Sequence, residues 1–192
     1  KPMFRFLTTA RSSPIVTKFF PVDNRVESYV DPQTMLPTRL LFRRREGKKK
    51  NDFDVAFHHA KGIVLDSKDG QMETLPIPSD VQDILSCLYY LRMLTVLELG
   101  TSVPIAIHHD RKNYTVEVRI EGHERIETSF GTLDTTRVLA VLPFQGIFLN
   151  EGNVRVWVTN DARHIPVMMK AKVVIGSIVA TLVDKKLGAE VP

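Results

Sequence analysis

Cysteine and long apolar runs are scarce in this chain. Cys87 is the single cysteine among 192 residues, so no disulfide can form within the chain. No apolar run reaches the roughly 20 residues that a membrane-spanning helix requires. Neither a glycine-rich phosphate loop nor a dinucleotide-binding fingerprint is present. The sequence thus excludes a disulfide scaffold, and it gives no support to a nucleotide-dependent enzyme.

An excess of charge of one sign is also small, and it is local. The chain has 26 Lys and Arg against 22 Asp and Glu, a formal net charge of +4. We interpret its basic run first as a solvated hairpin tip that blunts edge pairing, with contact to an anionic envelope surface such as phospholipid as the functional alternative. The residues of this run are Arg43, Arg44, Arg45, Lys48, Lys49 and Lys50. Few stacking aromatics accompany the run, so we expect no nucleic-acid binding.

Alternation of apolar and polar residues is the dominant pattern, and it predicts strands with one buried face. From Tyr114 to Ile120 every second residue is apolar, and Ile15 to Phe20 is also predicted as a strand. The Asp69-Gly70 pair between two apolar runs is typical of a tight hairpin. About a dozen such segments favour a mainly β fold, an antiparallel curved sheet or partial barrel. We predict one β-rich domain over residues 1–192, with residues 187–192 as a tail.

One long helix is predicted among the strands, from about Ser79 to Leu99. Ser79 is a suitable N-cap, and Gln82 three residues later completes a capping box. Apolar residues at helical spacing then cover most of the circumference, until Gly100 ends the pattern. A helix that is apolar on so many sides is expected to be buried. We therefore predict that this helix plugs the curved sheet.

Residues suited to catalysis or metal binding do not form a recognisable pattern. The pairs His58-His59 and His108-His109 lie at predicted strand ends, where neighbouring side chains point to opposite faces and cannot chelate one ion. Cys87 lies in apolar company inside the predicted helix, which argues against a reactive thiol. We expect no metal, no cofactor and no enzymatic activity, with a hydrolase as the minor alternative.

Two functional interpretations fit this architecture. In the first, the shell binds a lipid or another amphipathic molecule beneath the helix. The ligand-binding residues predicted for it are Leu85, Leu88, Leu91, Trp157 and Met169. In the second, the same residues fill the core, and the chain is a structural or adaptor domain. Such a domain would act through protein contacts in an envelope assembly, for example by accepting a partner strand at a free sheet edge.

Several segments also occur in the order typical of a known family. They are Ala10-Arg11-Ser12-Ser13, Phe19 to Asp31, Leu36-Pro37-x-Arg39-x-x-Phe42, Asp54-x-x-Phe57, Asp83 to Arg92 and Val156 to Val167, with Gly176 after them. Together they resemble the bacterial envelope family catalogued as domain of unknown function 3108. The resemblance extends over most of the chain, and its weight comes from the order of the motifs.

The resemblance implies an exported β-rich domain, periplasmic or associated with the outer membrane. It also implies that a signal peptide and one or two strands of the family precede Lys1. The family has no established catalytic residues, so none is carried over to this chain. The strand with Leu36-Pro37-x-Arg39 and the closing hairpins are also similar to periplasmic lipoprotein carriers, whose half-barrels hold acyl chains. That second similarity is one of fold and suggests only a type of ligand.

Overall fold

The computed structural model describes residues 2–93, 98–142, 152–172 and 177–186. These residues form two antiparallel sheets of six strands each, and the sheets do not close into a barrel. The predicted mainly β, antiparallel fold is therefore confirmed. The predicted tail at residues 187–192 lies outside the described residues.

The first sheet is a meander in which strand order follows chain order. Its strands are β1 (Phe4–Arg11), β2 (Asp23–Val30), β3 (Pro37–Glu46), β4 (Lys49–His58), β5 (Ile63–Lys68) and β6 (Gln71–Pro76). Asp69 and Gly70 join β5 to β6 with φ of +53° and +80°. Both residue types tolerate this left-handed region, so the predicted hairpin turn is confirmed.

A short helix, α1 (Pro14–Thr17), connects β1 to β2 and replaces most of the strand predicted at residues 15–20. Ser13 is its N-cap, and the Ser13 side chain accepts a hydrogen bond from the Val16 backbone N–H. Pro14 occupies the first helical position, where its fixed φ favours the helix and its missing N–H costs nothing. The strand prediction was wrong because it relied on the apolar residues and did not take account of Ser13-Pro14, which begins a helix.

The second sheet is also a meander. Its strands are β7 (Ser102–His109), β8 (Lys112–Thr128), β9 (Gly131–Leu142), β10 (Gly152–Thr159), β11 (Pro166–Lys172) and β12 (Ser177–Thr181). The pairing of β8 with β9 shifts between Ile120 and Gly122. Such a bulge lets the 17-residue β8 bend without ending.

The long buried helix is not present among the described residues, and that prediction was wrong. The second helix, α2 (Ser86–Met93), has eight residues, and residues 94–97 lie outside the described part. Before it, Gln82 pairs with the β7 backbone: its N–H donates to Ala106 O at 2.8 Å, and its carbonyl accepts from His108 N–H at 2.9 Å. This extended pairing takes up residues that the sequence pattern assigned to the first helical turn.

Asp83, and not Ser79, caps α2. Its Oδ1 accepts hydrogen bonds from the backbone N–H groups of Leu85 and Ser86, both at 2.7 Å. In return, the Ser86 hydroxyl accepts from the Asp83 N–H at 2.9 Å. This reciprocal arrangement is a capping box placed four residues later than predicted. The helix therefore begins only after the segment that pairs with β7 has ended.

The chain divides into two compact units. The first comprises Lys1–Leu91 and Ile105–Thr115, and the second comprises Arg92–Pro104 and Val116–Pro192. Buried apolar residues of the first unit include Val26, Val30, Leu40, Phe42, Phe53, Val55, Phe57, Val64, Val81 and Leu85. Those of the second include Val116, Val118, Ile120, Val138, Val154, Val156, Val158 and Val167. The single domain expected from the sequence stays a prediction.

Candidate functional site

The buried side of the first sheet carries polar residues among its apolar ones. Asn24 and Ser28 alternate with valines on β2, and Asp66 is buried on β5. A buried polar group without a partner costs about 1–3 kcal/mol. Within the first unit, partners for Ser28 and Asp66 come from residues 82–83 and from the end of β7.

His108 and Asp66 form the most deeply buried of these contacts. His108 Nε2 lies 3.0 Å from Asp66 Oδ2, and its Nδ1 lies 2.8 Å from Asn113 Oδ1. The Asn113 amide nitrogen donates to Pro76 O at 2.8 Å, which leaves Asn113 Oδ1 to accept a hydrogen bond from His108 Nδ1. His108 thus links Asp66 on β5 to Asn113 on β8 within the first unit.

Asp110, at the β7–β8 turn, forms ion pairs with two basic side chains. Lys68 Nζ lies 2.6 Å from its Oδ1, and Arg44 lies 3.5 Å from its Oδ2. Burial alone would raise the pKa of Asp110, but the hydrogen bond and charge of Lys68, with the charge of Arg44, lower it. Asp110 and Arg111 both have positive φ, +47° and +65°. Lys68 on β5 and Arg44 on β3, both in the first sheet, thus hold the strained turn at Asp110 in place through their ion pairs.

Two further carboxylates of the first unit are buried. Asp83 accepts a hydrogen bond from the Ser28 hydroxyl at 2.5 Å, and Glu46 accepts one from the Asn24 amide. Burial raises the pKa of both carboxyl groups, and the hydrogen bonds they accept oppose that rise. These contacts fasten residues 82–86 and the end of β3 to the sheet.

The chemistry available to this buried cluster is limited. His108, Asp66 and Asp83 have almost no solvent exposure, and their described contacts are to other groups of the first unit. Among the described residues, no group of three His, Cys, Asp or Glu side chains could hold a metal ion. Within that same part of the chain, none of the helices has the length and hydropathy needed to cross a membrane. The side chains of His108, Asp66 and Asp83 hold the start of α2 and the end of β7 against the first sheet.

An exposed apolar loop lies elsewhere in the first unit. We call residues 15–19, which comprise the last three residues of α1 and the two that follow, the apolar loop. Ile15 is 74% exposed, Val16 48% and Phe19 86%. Large apolar side chains in solvent are common singly, but three within five residues form a patch that calls for an explanation. Sequence reasoning missed this loop, although Ser13-Pro14 was a signal for a short helix in place of a strand.

The β3–β4 hairpin tip lies directly against residues 20–22, which follow this loop in the chain. The Gly47 N–H donates to Pro21 O at 2.8 Å, and Val22 pairs with Glu46. Gly47 has a φ of +58°, and a Cβ there would stand 2.7 Å from the Phe20 ring. Only glycine allows this close approach, which keeps the tip beside the apolar loop.

The predicted basic run divides into two groups. Its three arginines make ion pairs within the first unit: Arg43 with Asp23 at 3.0 Å, Arg44 with Asp110 at 3.5 Å and Arg45 with Asp52 at 2.8 Å. Its three lysines, Lys48, Lys49 and Lys50, are exposed at the hairpin tip. The role of the six residues as an anionic contact stays a prediction, and the geometry favours the lysines for it.

The predicted ligand-binding residues lie in different units. In the first unit Leu85 and Leu91 are buried, whereas Leu88 is 38% exposed. In the second unit Trp157 is buried, its indole N–H donates to Glu124 Oε1, and Met169 is partly buried. Their role in ligand binding stays a prediction.

Comparison with solved structures finds the same type of fold. A crystal structure of a beta-barrel-like protein, domain of unknown function DUF1849, from Brucella abortus matches with a TM-score of 0.59. The match covers 93% of this chain and 79% of that chain at 11% sequence identity, so it concerns the fold alone. No curated protein matches. The family model of the proteins of unknown function DUF3108 matches residues 1–183. The chain therefore belongs to the DUF3108 family, as the order of its sequence motifs indicated.

Proposed function

We propose that this chain is an exported, non-catalytic domain of the bacterial envelope that binds an amphipathic molecule at its surface. The apolar loop of the first unit is the proposed contact. The observation that carries the proposal is the exposure of Ile15 and Phe19 on a loop that is fastened at both ends. Ser12 N–H donates to Val22 O at 3.0 Å on one side, and Gly47 N–H donates to Pro21 O on the other.

A site on the surface is favoured over one beneath α2. The residues that lead into α2 are hydrogen-bonded to the first sheet: Asp83 to the Ser28 hydroxyl, and the Gln82 amide to Met35 O at 3.3 Å. A segment fixed in this way would have to break buried hydrogen bonds to admit a ligand beneath it. The apolar loop needs no such opening.

The energetics suit reversible binding. Full burial of one large apolar side chain contributes about 1.5–3 kcal/mol. The three exposed side chains of the loop therefore offer several kcal/mol before the cost of association, which is enough for weak binding of an acyl chain.

Export to the envelope rests on the family resemblance. Absence of catalysis is proposed because His108, Asp66 and Asp83 are buried and hydrogen-bonded within the first unit.

A fluorescent acyl phosphocholine, titrated below its micelle concentration, tests this proposal. We expect Phe19→Ser and Ile15→Ser each to weaken binding about tenfold, the loss of one buried apolar contact. Val183→Ser is the matched control, because Val183 is 76% exposed in the second unit and should not matter. Equal losses in all three variants would contradict the proposal. A loss confined to Leu88→Ser would instead support a site at α2.

One observation favours a second candidate, the protein adaptor. All five residues of β12 are exposed, including Ile178 and Val179, and β12 is an edge strand of the second sheet. An extended segment of a partner could pair with such an edge. Photo-crosslinkers placed in turn along β12 should then react with one partner peptide at alternate positions. Adducts without this two-residue alternation would argue against strand pairing.

A further inference from the structure

We infer that the apolar loop and the lysine tip, residues 48–50, form one docking surface for an anionic membrane. The inference rests on the proposed function and names the partner as a bilayer that carries acidic phospholipids. Two adjacent features of the first unit support it: apolar side chains able to enter the acyl region, and cations able to meet headgroups. Stable peripheral attachment generally requires both kinds of contact.

Short connections hold the two features together. Phe19 precedes Phe20, whose ring lies against Gly47, and Gly47 directly precedes Lys48. Two backbone contacts join the same segments: Val22 pairs with Glu46, and the Gly47 N–H donates a hydrogen bond to Pro21 O. These contacts therefore hold the apolar loop and the lysine tip next to each other.

The charges around the tip favour an anionic partner. Six basic and two acidic residues lie between positions 43 and 52. Glu46 is buried and hydrogen-bonded to Asn24, and Asp52 pairs with Arg45. Lys18 adds a further exposed cation within the apolar loop. Asp69 is exposed beside Asn51, but the three exposed lysines of the tip outnumber it, so the exposed charge of this end is positive.

A bilayer explains the combination better than a soluble polyanion does. A polyanion would bind the lysines but would gain nothing from Ile15 or Phe19. A bilayer interface accepts Phe and Ile beside Lys, because the aromatic and aliphatic groups enter the boundary while the ammonium groups stay at the headgroups. The proposed binding is consequently sensitive to salt, since screening weakens the lysine contribution.

Vesicle co-sedimentation tests the inference with the whole chain. One vesicle type contains phosphatidylcholine alone, and the other includes about 30% phosphatidylglycerol to give an anionic surface. The variants are Phe19→Ser and the double substitution Lys48→Ala/Lys50→Ala. The matched control is Lys61→Ala/Lys170→Ala, which removes the same charge from exposed positions outside the tip. Circular dichroism of each variant verifies folding.

The expected results separate the two contributions. We expect about tenfold tighter binding to anionic vesicles than to neutral ones at low salt, with most of this gain lost at high salt. The Lys48→Ala/Lys50→Ala variant should lose most of the gain and keep its neutral binding. Phe19→Ser should weaken binding to both vesicles, and the control should bind as the unaltered chain does.

The outcomes also separate this inference from the proposed function. Equal binding to neutral and anionic vesicles, abolished by Phe19→Ser, would overturn the inference and leave the proposed function standing. Binding of the acyl phosphocholine with no binding to either vesicle would likewise overturn the inference alone, by indicating a monomeric ligand. Anionic binding that Phe19→Ser leaves unchanged would indicate a purely electrostatic contact, and it would overturn both.

Discussion

Two buried carboxylates of the first unit differ from two partly exposed carboxylates of the second in the contacts that they make. Asp83 and Glu46 of the first unit are buried, and burial raises the pKa of both. Glu121 and Glu124 of the second unit remain partly exposed, and their pKa values are lowered. The largest cause is the hydrogen bond from Arg155 for Glu121 and that from Trp157 for Glu124.

The difference shows what each set of contacts does. The buried carboxylates accept hydrogen bonds from backbone or neutral groups and fix the course of the chain, as Asp83 does at the start of α2. The accessible carboxylates link strands of the second sheet: Glu121 on β8 binds Arg137 on β9 and Arg155 on β10. Removing a buried carboxylate together with the hydrogen bonds it accepts, as an alanine substitution does, should therefore cost far more than removing an accessible one.

The largest effect is expected from Asp66→Ala, which leaves His108 buried without its carboxylate. Breaking one side of a buried pair costs about 3–5 kcal/mol. Urea unfolding followed by circular dichroism measures the loss in the free energy of unfolding. Asp66→Asn, which restores one acceptor, should recover part of it. A loss below about 1 kcal/mol for Asp66→Ala would mean that the pair has little influence on stability.

Much of the fold could be predicted from the sequence, because alternation and turn residues act locally. The number of strands, the antiparallel meander and the Asp69-Gly70 hairpin follow from such patterns. The helix at residues 79–99 could not be located correctly, because Ser79 and Asp83 are both good caps. The choice between them depends on the pairing of Gln82 with β7, a contact that no local pattern contains.

Less of the candidate site could be predicted. The basic run was recognisable, yet ion pairing of Arg43 and Arg45 with Asp23 and Asp52 depends on the register of β2, β3 and β4. Proximity of the lysine tip to the apolar loop depends on the contact of Gly47 with Phe20. Contacts between residues distant in the sequence leave no periodic trace in a single sequence.

The next largest effect is expected from Asp83→Ala. It removes the cap of α2 and leaves the Ser28 hydroxyl without its buried acceptor. Loss of a cap costs about 0.5–2 kcal/mol, and an unsatisfied buried group adds about 1–3 kcal/mol, so we expect a total of about 3 kcal/mol. Asp83→Asn keeps an acceptor and should lose less in the same urea measurement. Equal losses in both variants would show that the charge matters more than the cap.

A smaller effect with a distinctive pH dependence is expected from Glu46→Gln. Because the folded pKa of Glu46 is raised, the folded chain binds more protons than the unfolded chain above the unfolded value of about 4.3. Glu46 therefore destabilises the fold progressively as pH rises through its folded pKa. Glu46→Gln should match the unaltered chain near pH 4 and be the more stable of the two at pH 7. A variant that is less stable at pH 7 would contradict this.

The smallest effect is expected from Glu121→Gln in the second unit, with the opposite pH dependence. Glu121 accepts hydrogen bonds from Arg155 at 2.8 and 3.1 Å and from Arg137 at 3.0 Å. Since its folded pKa is lowered, its contribution is present above the unfolded value of about 4.3 and is lost as pH falls through the folded pKa. Solvent screening of these partly exposed arginines limits the loss at pH 7 to about 1 kcal/mol or less.

Trp157, the single tryptophan of the chain, lies in the second unit and reports its unfolding by fluorescence. The difference between Glu121→Gln and the unaltered chain should shrink to zero on acidification, whereas the difference for Glu46→Gln shrinks because a destabilising charge disappears. At pH 7 the two Glu→Gln substitutions are therefore expected to change the free energy of unfolding in opposite directions. The same sign in both would mean that burial does not separate the two sets of carboxylates. Arg155→Ala should weaken the pH dependence of Glu121, which keeps its contact with Arg137, and leave that of Glu46 unchanged.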